Sequence, residues 1–525
     1  MRETWVLYPP VMADIFDSYA LADAWDEMFE RPGVPRAPYQ GLFAALQPLG
    51  ADELRFRADQ LARVFTDRGV TFDYAGEERP FPLDLIPRVI DAAEWDLIAR
   101  AVRQRVRTLE AFLADVYGAR QVFHDGIVPW RLLQSSPHFH RTADGIRPAN
   151  GVRVHIAGID IIRDEAGDFR VLEDNVRTPS GVSYVLENRL AMMRTLPALF
   201  AGPGRDGVGA EQRVRPVDEY PPRLLAALRK AAPGNVTDPT VVVLTPGVYN
   251  AAYFEHALLA RLMGVELVEG RDLVCENNRV YMITTHGKRP VHVIYRRVDD
   301  DYLDPLHFRA DSTLGCPGLL NAARANTVTI ANAVGNGVAD DKLLYTYVPE
   351  LMKYYLGEEP LIGNVESYRL ADPDTLEWAL ERLDTLVLKP VDGAGGKGIV
   401  IGPRAEQQTL EALAETVRAD PRGWIAQRPV MLSTSPALIG DLPRPRHMDL
   451  RPFAVNDGDD VWLLPGGLTR VALPEGELVV NSSQGGGSKD TWVLSEPGPR
   501  TAPPEPTPAQ VHWEPTRSAA WDGEQ

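Results

Sequence analysis

The sequence predicts a mixed α/β protein, and three observations carry that prediction. Helical periodicity dominates the N-terminal part, a strand–helix–strand rhythm runs through the middle, and a short strand hairpin lies on either side of that rhythm. From about residue 18 to 135, apolar residues recur three and four apart, as in Trp95, Ile98, Val102, Val106, Leu109, Phe112 and Leu113. This spacing predicts amphipathic helices, and residues 1–150 read as a helical region. The pattern then shortens. Val152 to Ile162 and Phe169 to Asn175 are two strand-like runs around the turn cluster Arg163-Asp-Glu-Ala-Gly-Asp168, a hairpin that heads a unit spanning 151–200. Residues 201–238 are rich in Gly and Pro, with one short helical stretch near Leu224–Lys230, and read as a linker. Val241–Leu244, a helical pattern through Met263, Val265–Val268 and Val291–Arg296 predict an open α/β sheet over 239–345. Mixed strands and helices follow over 346–495, and the proline-rich segment 496–525 reads as a disordered tail.

Composition narrows the function. The 525 residues are 44% hydrophobic and 24% charged, which suits a soluble globular protein of two or three domains. A net charge of -18, from 55 basic and 73 acidic residues, repels phosphate backbones and argues against a nucleic-acid partner. Any anionic ligand needs a local basic pocket. The two cysteines, Cys275 and Cys316, have no paired ligand spacing, which argues against a zinc or disulfide framework and fits a cytoplasmic setting. No leader-like apolar segment and no apolar run of about 18 residues is present, so neither export nor a membrane span is expected.

Two segments carry chemistry. Gly393-Ala-Gly-Gly-Lys-Gly398 fits a dinucleotide fingerprint, but the following Ile399-Val-Ile is a second strand rather than a helix, so these glycines cap a hairpin. Lys397 precedes Gly rather than Ser or Thr, which rules out a Walker loop. A glycine-rich tip can still fold over phosphates with its amides. Lys389, inside the apolar strand before it, requires an anionic partner or a route to solvent. In the earlier hairpin, Glu173 and Asn175 are two apart and share a face, and a turn near 166 places Asp160 opposite about residue 172. Two carboxylates and an amide oxygen suit magnesium; a solvated hairpin face is the competing reading.

Together the hairpins resemble the ATP-grasp superfamily. Gly158-Ile-Asp through Asn175 resembles the magnesium segment of D-alanyl-D-alanine ligases. Asp340-Asp-Lys342 and Val387 through Gly398 resemble that family's two nucleotide lysines and phosphate loop. The metal segment precedes Lys342 here, the reverse of the usual order. Thr245-Pro-Gly-Val-Tyr-Asn250, Tyr295 through Asp301, Gly335 through Lys342 and Asn481 through Ser488 are similar to the circularly permuted type 2 ATP-grasp family.

The resemblance implies a circularly permuted ATP-grasp fold that takes ATP and Mg2+ and joins small-molecule or peptide carboxylates to amines through an acylphosphate. A phosphotransferase, or a nucleotide-binding protein without turnover, is the alternative. It implies Asp160, Glu173 and Asn175 as metal ligands, Lys342 and Lys389 with Gly393, Gly395 and Gly396 around the phosphates, and Gln427 near the adenosine where a carboxylate is usual. Such ligases carry an arginine just before the first metal aspartate. Gly158 stands there, leaving Arg177, Arg296 and Arg470, in that order, as substitute cations. His155, Ser180, Tyr249 and Asn250 are candidate substrate contacts, with core packing or loop capping as the competing roles. Gly485 through Lys489, with Asn481 and Gln484, reads either as an anion-binding loop or as a flexible connection.

Overall fold

The computed structural model describes residues 15–74, 77–200, 213–234, 236–393, 398–477, 480 and 486–496. Its centre is a six-stranded sheet in the order Leu83–Ile90, Gly487–Val493, Val461–Val471, Arg451–Asn456, Ile156–Arg163 and Phe169–Asn175. The first pair is parallel and the others are antiparallel. Ile156–Arg163 is buried along its whole length, as its mostly apolar sequence requires of a strand covered on both faces, with Asp160 the charge in its interior. The helix Ala92–Val116 packs on Val461–Val471 and on the helix Val348–Leu356, burying Trp95, Val102, Val106, Leu109 and Phe112. Its N-cap, Asp91, accepts a 2.8 Å hydrogen bond from the Glu94 amide, satisfying one of the first-turn donors. The helix Val182–Thr195 also packs on Val461–Val471, and on Gly487–Val493.

The N-terminal region is therefore not helical throughout. Leu83–Ile90 reads Leu-Asp-Leu-Ile-Pro-Arg-Val-Ile, and pairing with a strand some 400 residues later overrides the helical rhythm around it. Of the stretch read as Gly485 through Lys489, Gly485 lies outside the described residues and the part from Gly487 on is not a loop. Gly487–Val493 is a buried strand, and the Lys489 ammonium donates to Asp84 at 2.8 Å and to the Ile86 and Pro436 carbonyls, so it is not an anion site. Asn481 and Gln484 lie outside the described residues, as do 1–14, 201–212 and 497–525.

A second sheet is wholly parallel, in the order Thr329–Ala331, Val293–Arg296, Val241–Leu244 and Glu266–Val268. The helix Tyr253–Met263 connects its last two strands, and the helix Tyr220–Lys230 in the preceding segment packs against that helix. The third sheet is antiparallel, in the order Ser367–Arg369, Trp424–Gln427, Val387–Pro390 and Val400–Ile401. It has its own small core, in which Leu388 and Ala426 meet Ala379 from the helix Pro373–Leu380 and Leu410, Leu413 and Val417 from the helix Gln407–Ala419. Within residues 346–495, the strands from 451 on build the central sheet, those from 367 to 427 build the third, and Thr434–Ile439 pairs with Leu442–His447 apart from both.

Candidate active site

Where the edge of the central sheet meets the third sheet, Leu172, Glu173, Lys342, Lys389, Ile425 and Gln427 line a cavity of about 10 Å3. Each arrives from a different local device. Glu173 sits opposite Asp160 in the hairpin, not one place earlier, because a bulge after Asp160 absorbs Leu172. Asn175 follows on the same face, opposite Gly158, and its side-chain nitrogen is buried with no hydrogen-bond partner among the described residues. Glu173 makes no ion pair or side-chain hydrogen bond among the described residues. Asp174 points the other way, where Arg105 grips it through two bonds of 2.5 and 2.7 Å.

Lys342 opens the short helix Lys342–Tyr345, which Asp341 caps by accepting from the Leu343 and Leu344 amides and from Ser136 Oγ at 2.9 Å. The Lys342 ammonium donates to the Gly393 carbonyl at the start of the glycine loop. That loop joins two antiparallel strands, with Val387 opposite Ile401 and Leu388 opposite Val400, and no helix opens after it. Gly395, Gly396 and Lys397 lie outside the described residues. Lys389 pairs across to Ile425, and burial, together with the charge of Lys342, brings its ammonium down to about 8 against the pull of Glu173 and Asp160. Gln427 is buried and donates to Ser367 Oγ at 2.8 Å.

Asp340 joins the two halves by accepting from the Val176 amide at 2.7 Å and lying 3.6 Å from Arg177 Nε. Burial, with Glu173 and Asp174 nearby, raises it to about 7 despite Arg177. Arg177 also lies 3.7 Å from Asp299.

The candidate cations separate sharply. Arg296 is fully buried, and its guanidinium is taken up by the Asn332, Val298 and Ala333 carbonyls and by Asp300, so it cannot serve the site. Arg470 does reach the hairpin: its Nη2 donates to Asp160 at 2.7 Å and to Asp449 at 2.5 Å. A second arginine, Arg451, holds Asp160 through Nε and Nη2 at 2.5 and 2.8 Å. Burial alone would raise the Asp160 carboxyl, but the two guanidiniums bring it down to about 2. Asp449 and Arg451 carry a sequence signal: they stand two apart in Met448-Asp-Leu-Arg-Pro-Phe453, a charge alternation leading into the strand Arg451–Asn456.

His155 is fully buried with no partner for either ring nitrogen among the described residues, and burial lowers it to about 4, so it is a neutral core residue rather than a proton donor. Ser180 offers its carbonyl to Arg451 Nη1 at 3.3 Å. Tyr249 is 98% exposed, Asn250 caps its own turn through the Ala252 amide, and neither lines the cavity.

Residues 87–472 match the family model described as circularly permuted ATP-grasp type 2. The chain belongs to this family. An uncharacterized protein of Mycobacterium tuberculosis is 60% identical over 485 residues, 92% of this chain and 86% of its own length. A Frankia alni protein provisionally named glutamate–cysteine ligase 2-3 is 44% identical over 473 residues, which is 89% of this chain but 54% of that protein. Among solved structures, a glutathione synthetase-like effector from Globodera pallida in its apo form aligns with a TM-score of 0.55 at 12% identity, covering 85% of this chain and 98% of the effector. At that identity the likeness concerns the fold.

The donor set suits the groups this family implies. Glu173 and Asn175 provide hard oxygen atoms, and magnesium needs only one or two carboxylates when waters and phosphates complete its shell. Asp160 fits less simply, because both of its oxygens are on arginines. Among the described residues, no cluster of three His, Cys, Asp or Glu side chains is poised to hold a metal, and no helix is long and apolar enough to cross a membrane.

Proposed function

We propose that this protein is an ATP- and magnesium-dependent ligase that joins a carboxylate to an amine through an acylphosphate. The observation that carries the proposal is the convergence of Lys342, Lys389, Glu173 and Gln427 on one cavity, from segments the permuted order separates. Of the three acidic residues around the cavity, Asp174 is taken up by Arg105 and Asp340 lies beside Arg177, which leaves Glu173 to face the two ammonium groups of Lys342 and Lys389, a balance that suits a polyphosphate. Membership of the ATP-grasp family and the ligase name of the Frankia relative support the same reaction class.

In this reading Gln427 and Ile425 flank the base, while Lys342 and Lys389 hold the phosphates and offset the charge that spreads over the transferred group. Magnesium, held by Glu173 and Asn175 with Asp160 alongside, would add charge neutralisation at the phosphate oxygens. A carboxylate oxygen of the substrate forms a bond to the γ-phosphorus as the bond to the bridging oxygen breaks, and ADP leaves with that electron pair. An amine then adds to the acyl carbon, phosphate leaves, and the amine loses a proton. No side chain acts as nucleophile, so positioning and electrostatics supply the rate.

The test is phosphate release from ATP and magnesium with a panel of the twenty amino acids, short peptides, dicarboxylates and polyamines. A carboxylate-dependent release with a product mass equal to condensation supports the reading. Phosphate moved onto a hydroxyl or a protein side chain, or no release with any member, rejects it.

A further inference from the structure

The hairpin face that bears the cross-strand pair Asp160 and Glu173 has cations on both sides. Lys342 and Lys389 share a cavity with Glu173, whereas Arg451 and Arg470 hold Asp160. The phosphate assignment uses only the lysines. The arginines are also unequal. Arg470 is fixed between two carboxylates, since Asp449 takes its Nε at 3.0 and 3.1 Å and its Nη2 at 2.5 Å. Among the described residues, Arg451 has Asp160 alone, along the Nε–Nη2 edge, and its Nη1 has only the 3.3 Å contact to the Ser180 carbonyl. A guanidinium has five N–H groups in a planar fork, so the outer edge of Arg451 retains donors for a second carboxylate.

Gly158 accounts for how Arg451 reaches this position. It lies opposite Phe453 on the adjacent strand, two residues from Arg451. A Cβ on residue 158 would stand 3.1 Å from Arg451 Cδ, 3.3 Å from Arg451 Cγ and 3.1 Å from Pro179 Cβ. The arginine stem therefore occupies the space that a side chain on the Asp160 strand would fill.

We propose that Arg451 binds the carboxylate of the acceptor substrate, with Gly158, Asp160 and Arg470 as positioning residues. A carboxylate held there would lie on the Asp160 side of the hairpin face, beside the Glu173 side that the lysines share. The proposal rests on the ligase reading above.

The experiment uses the full chain and whichever carboxylate of the panel drives phosphate release. In Arg451→Gln the KM for that carboxylate rises about tenfold or more, the loss of one charge-assisted pair, and Arg451→Lys restores part of it. Calorimetric affinity for ADP without metal is unchanged, because the lysines assigned to its phosphates are untouched. Gly158→Ala, which displaces the stem without removing charge, raises the same KM; if Arg451→Gln fails to fold, this variant and Arg451→Lys decide. An unchanged carboxylate KM, or a parallel loss of ADP affinity, overturns the proposal while leaving the ligase reading intact. No carboxylate-dependent release by the wild type rejects both.

Discussion

On one flank of the candidate site, Arg470 is locked between Asp160 and Asp449, with Arg451 beside it on Asp160. On the other, Lys342 meets a single main-chain carbonyl, and Lys389 has no ion pair or side-chain hydrogen bond among the described residues. Both flanks are cationic and poorly exposed, so the difference lies in what compensates the charge. A buried guanidinium with two carboxylates is already satisfied and holds the backbone in register. A half-buried ammonium beside another ammonium is under-compensated, and an incoming anion relieves it.

The contrast is broken most severely at Arg470. Replacing it with Met leaves Asp449 buried without its partner, and chemical denaturation should register a loss of about 3–5 kcal/mol. Glu173→Gln should behave in the opposite way, with turnover falling more than roughly a hundredfold, beyond what loss of an outer-shell partner to a metal brings. Its denaturation midpoint should stay with that of the wild type, since Glu173 has no partner to lose.

Acidity sharpens the lysine side. With its ammonium near 8, Lys389 loses its proton as the pH rises from 8 toward 10.5, so affinity for ATP should fall across that window. The same group contributes stability in the opposite sense. The unfolded chain keeps the proton there while the folded one releases it, so stability from this residue rises over that range. Titrating nucleotide binding from pH 7 to 10 in the wild type and Lys389→Met separates the two, because the variant should bind weakly and show neither slope. The smallest effect is expected from Tyr345→Phe. Its hydroxyl donates to the Val171 carbonyl at 2.6 Å, but Val171 also accepts from the Val365 amide, so the loss should be about 1 kcal/mol by thermal melting.

The strand–helix–strand rhythm at 241–268 and both hairpins could be read from the sequence because each is local: its pairing partner or period lies within some thirty residues. The central sheet could not, since it draws strands from three distant parts of the chain and long-range pairing leaves no periodic mark. The same reason hid Arg451, which stands 291 positions from the aspartate it holds. Arg296 misled for a different one. An arginine at the end of a strand can be satisfied by main-chain carbonyls from the next loop, here those of Asn332 and Ala333, and composition gives no sign of that. Lys389 was visible because a lone cation in an apolar strand stands out against its neighbours.

The parallel pairing of Leu83–Ile90 with Gly487–Val493 has a consequence for biosynthesis. About 400 residues separate the two strands, so at ordinary translation speeds the earlier one waits roughly 20–80 s for the later to leave the ribosome. During that interval an apolar strand edge is open to unwanted pairing, and a holdase chaperone should matter more to the yield of this protein than to one whose neighbouring strands emerge in succession.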